Sequence, residues 1–171
     1  MPDIVLSTLN AKYIHASFGL RYLMANLGEL RERACLAEFT INQAPLEIAE
    51  AVLAHQPRIV GFGVYIWNVE QTTAVIGLLK RIRPDLIVVI GGPEVSYETE
   101  GQEIVALADH VITGEADVKF AEVCRALLND EARQTKVIAS ELPALATLAS
   151  PYDLYTDEDI AHRVLYVEAS R

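Results

Sequence analysis

The sequence predicts an α/β fold: a doubly wound parallel sheet of five strands in the order 2-1-3-4-5, flavodoxin-like or Rossmann-like in outline. Three observations predict it. Short apolar runs alternate with helix-period segments as far as residue 130; most of those runs are apolar on both faces, as parallel strands are; and each strand-helix unit takes about 25 to 30 residues, the length of a β/α crossover.

The first strand is expected over 4–9 (Ile-Val-Leu-Ser-Thr-Leu), and Leu20, Leu23, Leu27 and Leu30 then recur at helical spacing. In the second run, 35–41, Cys35, Ala37, Phe39 and Ile41 share one face while Glu38 and Thr40 lie on the other, which suits an edge strand. Pro45 fits the first turn of the next helix, and Pro57 ends it. The third strand, 58–67, leads to a helix striped by Val75, Leu79 and Ile82, with Asn68 and Gln71 spaced as an N-cap pair. The fourth, 86–90, precedes a weakly periodic helix over 98–107, and the fifth, 110–113, a helix striped by Phe120, Val123, Cys124 and Leu127. Residues 1–130 therefore form one domain, and 131–171 a connecting segment ending in a strand pattern over 163–168 that has no repeat to pair with.

Composition narrows the function. A formal charge of −10 excludes the basic stripe a nucleic-acid binder needs, and 51% hydrophobic residues exclude a disordered chain. Cys35 and Cys124 lie far apart and outside any Cys-x-x-Cys spacing, so they are read as reduced core thiols and not as disulfide, zinc or iron–sulfur ligands. The N-terminus has no basic leader and no apolar run approaches the ~18 residues of a membrane span. The cytosol is the expected compartment, with no membrane and no nucleic acid among the partners.

The predicted order places ligands at the carboxyl ends of the strands, beside the switch between the first and third. Four loops lie there. The first, Asn10-Ala11-Lys12-Tyr13-Ile14-His15, follows Thr8 and Leu9 and lacks the small residues of a phosphate cradle. In the second, Tyr65-Ile66-Trp67-Asn68, the two rings read either as caps on the core or as an apolar platform for a flat ligand. Gly61-x-Gly63 upstream is no dinucleotide fingerprint, because it sits inside a strand; it points to close packing. The third, Gly91-Gly92-Pro93-Glu94, and the fourth, Thr113-Gly114-Glu115-Ala116-Asp117, combine glycines with carboxylates that repel a triphosphate and suit hydroxyls or amides. His15 alone among the histidines faces this edge; it reads either as a structural residue or as a metal ligand.

Taken together, the strings at 10–15, 60–68, 90–96 and 113–115 resemble the N-terminal cobalamin-binding domain of radical S-adenosylmethionine enzymes, over about residues 3 to 130. The tail from Arg163 to Arg171 looks like the first strand of the radical barrel that follows there, and it stops before any three-cysteine cluster motif. The resemblance implies a corrin ring laid against 10–15 and 65–68, with its nucleotide tail in the slot opened by Gly91 and Gly92. It also implies S-adenosylmethionine and a 4Fe-4S cluster in a following radical domain of the same protein, which would carry methyl transfer or related chemistry that this fragment alone would not. The Asp-x-His-x-x-Gly string that supplies the lower cobalt ligand elsewhere is missing, His15-x-x-x-Gly19 being one residue longer. Base-off binding is expected, with His15 as the candidate cobalt ligand. A module of a different class, docking a partner or a nucleotide through its apolar rim, is the alternative.

Overall fold

The computed structural model describes residues 1–11, 14–131 and 135–168. Six parallel strands form one sheet in the order β2-β1-β3-β4-β5-β6. They are β1 (Ile4–Asn10), β2 (Ala34–Thr40), β3 (Ile59–Gly63), β4 (Ile87–Gly91), β5 (His110–Thr113) and β6 (Val137–Ala139). The predicted order is observed, and β6 extends it by one short strand on β5. The helices are α1 (Phe18–Ala25), α2 (Pro45–Ala54), α3 (Val69–Ile82), α4 (Pro93–Ser96), α5 (Glu103–Leu107), α6 (Lys119–Leu128) and α7 (Asp157–His162).

Alternation along each strand divides the apolar residues between two layers. Val5, Val60, Phe62, Val88, Ile90 and Val111 face α2, α3 and α5; Ile4, Leu6, Ile59, Val89 and Ile112 face α1 and α6. Leu20, Leu27 and Leu30 of the leucine stripe are buried as expected and Leu23 is partly buried, although the α-helix ends at Ala25 and a 3₁₀ turn, Gly28–Arg33, carries Leu30 into the core. The helix expected over 98–107 is shorter, starting at Glu103 after a left-handed Gly101 with φ +80°.

The tail differs from its sequence reading. Instead of an unpaired strand over 163–168, Val164 makes a single parallel bridge to His15. The Val164 N–H donates to the Ile14 carbonyl at 3.0 Å, and the Ala16 N–H to the Val164 carbonyl at 3.1 Å. The polar face of β2 differs as well. Glu38 is not at a solvated edge; α1 and α7 cover it, leaving its side chain 4% exposed. No helix among the described residues is long and apolar enough to cross a membrane.

Candidate functional site

The strand register sets the floor of the site. Thr8 pairs with Gly63, Gly63 with Gly91 and Gly91 with Ile112, so glycines of adjacent strands lie side by side on the face turned to α1 and α6. With no side chains to fill it, that face opens into a cavity of about 350 Å³ at the carboxyl edge of the sheet. Gly61, Gly63 and Gly91 line it from the strands, Phe18, Leu20 and Leu23 from α1, and Phe120 from α6. The Phe120 ring lies on Gly61 so closely that a Cβ there would sit 2.8 Å from it. The packing foreseen for Gly61 is thus with an α6 aromatic and with Leu6 of the neighbouring strand.

At the mouth, Gly92 adopts φ +119° where a side chain would overlap the Val64 carbonyl, so the β4–α4 turn hugs the end of β3. Ser96 ties two loops together. Its hydroxyl donates to the Gly92 carbonyl at 2.8 Å and accepts from the Gly114 N–H at 3.3 Å. Tyr65, Pro93, Tyr97, Glu115, Asp117 and Glu168 complete the rim. Burial pushes the Tyr65 phenol above its ordinary pKa, so it stays neutral beside Gly19. Three of these rim residues are acidic, and no Lys or Arg occurs among the described lining residues. Such a lining disfavours a polyphosphate and accepts amide donors or a cationic group.

The structure separates the sequence candidates into those that line the cavity and those that hold it. Tyr65, Gly91, Gly92, Pro93, Gly114 and Glu115 line it. Thr8, Leu9, Asn10 and Asn68 are buried. The Thr8 hydroxyl donates to the Gly63 carbonyl at 3.0 Å. Asn68 does not cap its helix with its side chain as the spacing with Gln71 suggests. Its Oδ1 accepts from the Tyr65 N–H at 2.8 Å, and its Nδ2 donates to the Leu9 and Gly63 carbonyls, each at 3.1 Å. Asn68 thereby pins the β3–α3 loop to the ends of β1 and β3.

Trp67 stacks on Tyr65 with ring centroids 4.6 Å apart and 5° between planes, and stays 42% exposed. Ile66 beside it is exposed, so this loop forms an apolar shelf next to the cavity and not inside it. His15 sits on the other side, its ring edge-on to Tyr166 at 5.3 Å. The described residues contain no group of three or more His, Cys, Asp and Glu side chains able to hold a bare metal ion. Ala11, Glu94 and Thr113 lie at the same edge outside the cavity lining, while Lys12 and Tyr13 fall outside the described residues. Sequence reasoning missed Phe120, Phe18 and Leu23 as site residues, because an apolar helix stripe reads as core. The usable signal was the glycines at 61, 63 and 91, whose alternation leaves one face without side chains.

Comparison with known proteins places this geometry. The B12-binding domain family matches residues 4–124. The chain is 28% identical over 123 residues to the cobalamin-dependent radical SAM methyltransferase TokK of Streptomyces tokunonensis, covering 62% of this chain and 18% of that protein. Among solved structures it resembles the radical S-adenosylmethionine methyltransferase TsrM from Kitasatospora setae, with a TM-score of 0.56 and 16% identity over 76% of this chain and 26% of that one. It also resembles a cobalamin-binding protein from Desulfitobacterium hafniense DCB-2, with a TM-score of 0.52 and 24% identity over 74% of this chain and 59% of the other. At these identities the two structures show a shared fold. The chain spans less than a fifth of the length of the curated relative it matches.

Proposed function

Since the chain belongs to the B12-binding domain family, we propose that it holds cobalamin base-off, as the cofactor module of a radical S-adenosylmethionine enzyme. The reading rests first on the glycine-floored cavity at the switch point of the sheet. A cavity of about 350 Å³ lies near the lower end of the roughly 300–1,000 Å³ typical of ligand sites. It suits the nucleotide tail of cobalamin and leaves the corrin ring at the sheet edge. The residues present fit such a ligand: glycine backbone and apolar walls for the tail, the Tyr65–Trp67 shelf for the ring, and rim carboxylates for its amide arms.

Bound cobalamin would supply a cobalt centre suited to methyl transfer or related carbon-centred chemistry. The protein's part is to bind and orient. Thr8 and Asn68 hold the strand ends; Gly92 and Ser96 keep the β4 and β5 loops together; Phe120 packs on Gly61 as an apolar wall of the slot. His15 would be the candidate protein ligand to cobalt. S-adenosylmethionine and a 4Fe-4S cluster belong, in this proposal, to a radical domain following residues 131–171, in a cytosolic protein whose substrate that domain selects. The exposed shelf at Ile66 and Trp67 would then meet that domain across the ring.

Titrating the chain with hydroxocobalamin while following the fluorescence of Trp67, the single tryptophan, tests the reading. Quenching with a coloured complex retained on gel filtration is expected. Cobinamide, which lacks the nucleotide tail, should bind at least roughly a hundredfold more weakly if the tail occupies the slot. Equal binding of the two removes the base-off proposal, and no retention of either leaves a partner-docking module. His15→Ala should shift the visible spectrum of the complex if this residue ligates cobalt; an unchanged spectrum removes it.

A further inference from the structure

A buried charge network joins β2, α1 and α7, and none of its members lines the cavity. Glu38 of β2 is its hub. One carboxylate oxygen accepts from Asn10 Nδ2 at 2.9 Å and from the Ser17 N–H at 2.7 Å. Those two residues bracket the β1–α1 loop, and Asn10 Nδ2 also donates to the His15 carbonyl at 3.0 Å. The other oxygen faces Arg21 at 2.7 Å and Arg163 at 2.9 Å. Asp159 closes the square, 2.9 Å from Arg21 and 3.3 Å from Arg163. The Arg21, Glu38 and Asp159 side chains are 3 to 6% exposed.

Two arginines thus balance two carboxylates, with Arg163, 26% exposed, the one member that reaches water, and each carboxylate needs both cations. Asp159 and Arg163 come from the tail, beyond the family match over 4–124. If Arg163 is removed, Glu38 keeps its buried charge with one cation fewer; if Asp159 loses its charge, Arg163 and the tail lose their anchor, and Glu38 loses the cation that anchor holds against it. The Glu38 carboxylate then turns toward water, which weakens its hold on Asn10 and Ser17. The backbone bridge from Val164 to His15 adds to the same loop. By contrast the Arg31–Asp153 pair, which also ties the tail to the domain, is 42% and 61% exposed and touches no part of the loop.

We propose that Glu38 is a positioning residue for the β1–α1 loop, and that Asp159 and Arg163 of the tail set it, so that tail docking and cofactor binding favour each other. The loop-setting part stands on the geometry alone; the coupling to cobalamin rests on the functional reading above. By linkage, the Asp159 and Arg163 contacts that hold Glu38 tighten the cofactor, and the bound cofactor tightens those contacts.

The test uses the full chain with Arg163→Met, Arg163→Lys, Asp159→Asn and, as a control, Arg31→Met. Amide hydrogen exchange without cofactor is read first at Ala16 and Ser17. Arg163→Met should speed exchange at both by roughly tenfold, leave Val5 and Val60 in the core strands unchanged, and lower hydroxocobalamin affinity by about tenfold. Arg163→Lys should recover most of both effects, and Arg31→Met should change neither. Asp159→Asn, nearly isosteric, should move both readouts in the same direction, and it carries the comparison if Arg163→Met does not fold. Exchange at Ala16 and Ser17 equal to the parent's overturns the loop-setting role. A released loop with affinity within twofold of the parent overturns the coupling. A parent chain that takes up no hydroxocobalamin overturns the cofactor reading and the coupling with it, and the exchange arm then decides the loop-setting role alone.

Discussion

Gly61 lies where the physical demand on a single atom is sharpest. A methyl group there would meet the Phe120 ring at 2.8 Å, with the sheet behind it, so the ring must move outward into the cavity. Gly61→Ala should cost about 1–3 kcal/mol of stability, the usual penalty for overpacking, and lower hydroxocobalamin affinity roughly tenfold. Gly61→Ala combined with Phe120→Leu should recover part of the affinity, since the smaller side chain yields the space; thermal midpoints and Trp67 quenching measure both, and unchanged affinity in the single variant removes the slot. Cys124 makes a second residue-level prediction. Burial pushes its thiol up to about 12, and pushes that of the half-buried Cys35 up as well. Alkylation at pH 8 should therefore modify Cys35 first and reach Cys124 only on unfolding. Equal rates in the folded protein would contradict that burial. The residue least legible in the sequence was Asn68. An Asn three positions before a Gln ahead of a helix fits a cap, but its amide gains more partners from the strand ends than from the helix.

The elements were legible where their signal is local. Period-2 and period-3.6 apolar patterns identify β1 to β5 and the main helices, and the β/α alternation carries the strand order with it. β6 was not, because a three-residue strand with Val137 and Ala139 exposed exists through its hydrogen bonds to β5, a partner about 25 residues away that leaves no periodic trace. The strand pattern over 163–168 is a short continuous apolar run, and a single bridge from Val164 to His15 is the only strand pairing among the described residues there. The β3–α3 loop was read as cap or platform, and its observed exposure favours the platform. Trp67→Ala should therefore change stability by no more than about 0.5 kcal/mol, as exposed positions do, while weakening corrinoid binding severalfold as measured by retention of the coloured complex. A large fall in the thermal midpoint with undiminished binding would return the Trp67 ring to the role of a core cap.

Across the protein, the contacts that join the tail to the sheet could not have been read from the sequence, because Arg21 and Asp159 are 138 positions apart and neither sits in a motif. Their consequence is a stability that depends on acid. Burial works to raise the Asp159 carboxyl, but the Thr156 N–H bond and the Arg21 guanidinium together outweigh it and hold it below the ordinary carboxylate range. A carboxyl whose folded pKa is depressed stabilises the folded state fully above its unfolded pKa, about 3.9, and loses that contribution as pH falls through the folded value. The contribution of Asp159 to tail docking is then level from about pH 5 to 8 and falls below about pH 4. Asp159→Asn removes the charge without removing the side chain, so it should destabilise the chain at neutral pH by about 1–3 kcal/mol. The gap between variant and parent in urea midpoint should stay level from pH 8 to 5 and narrow below about pH 4, where the carboxyl of the unfolded parent takes up a proton. A gap that persists undiminished at pH 3 would mean that Asp159 contributes through packing and capping of α7, and not through the charge that locks the tail against Arg21.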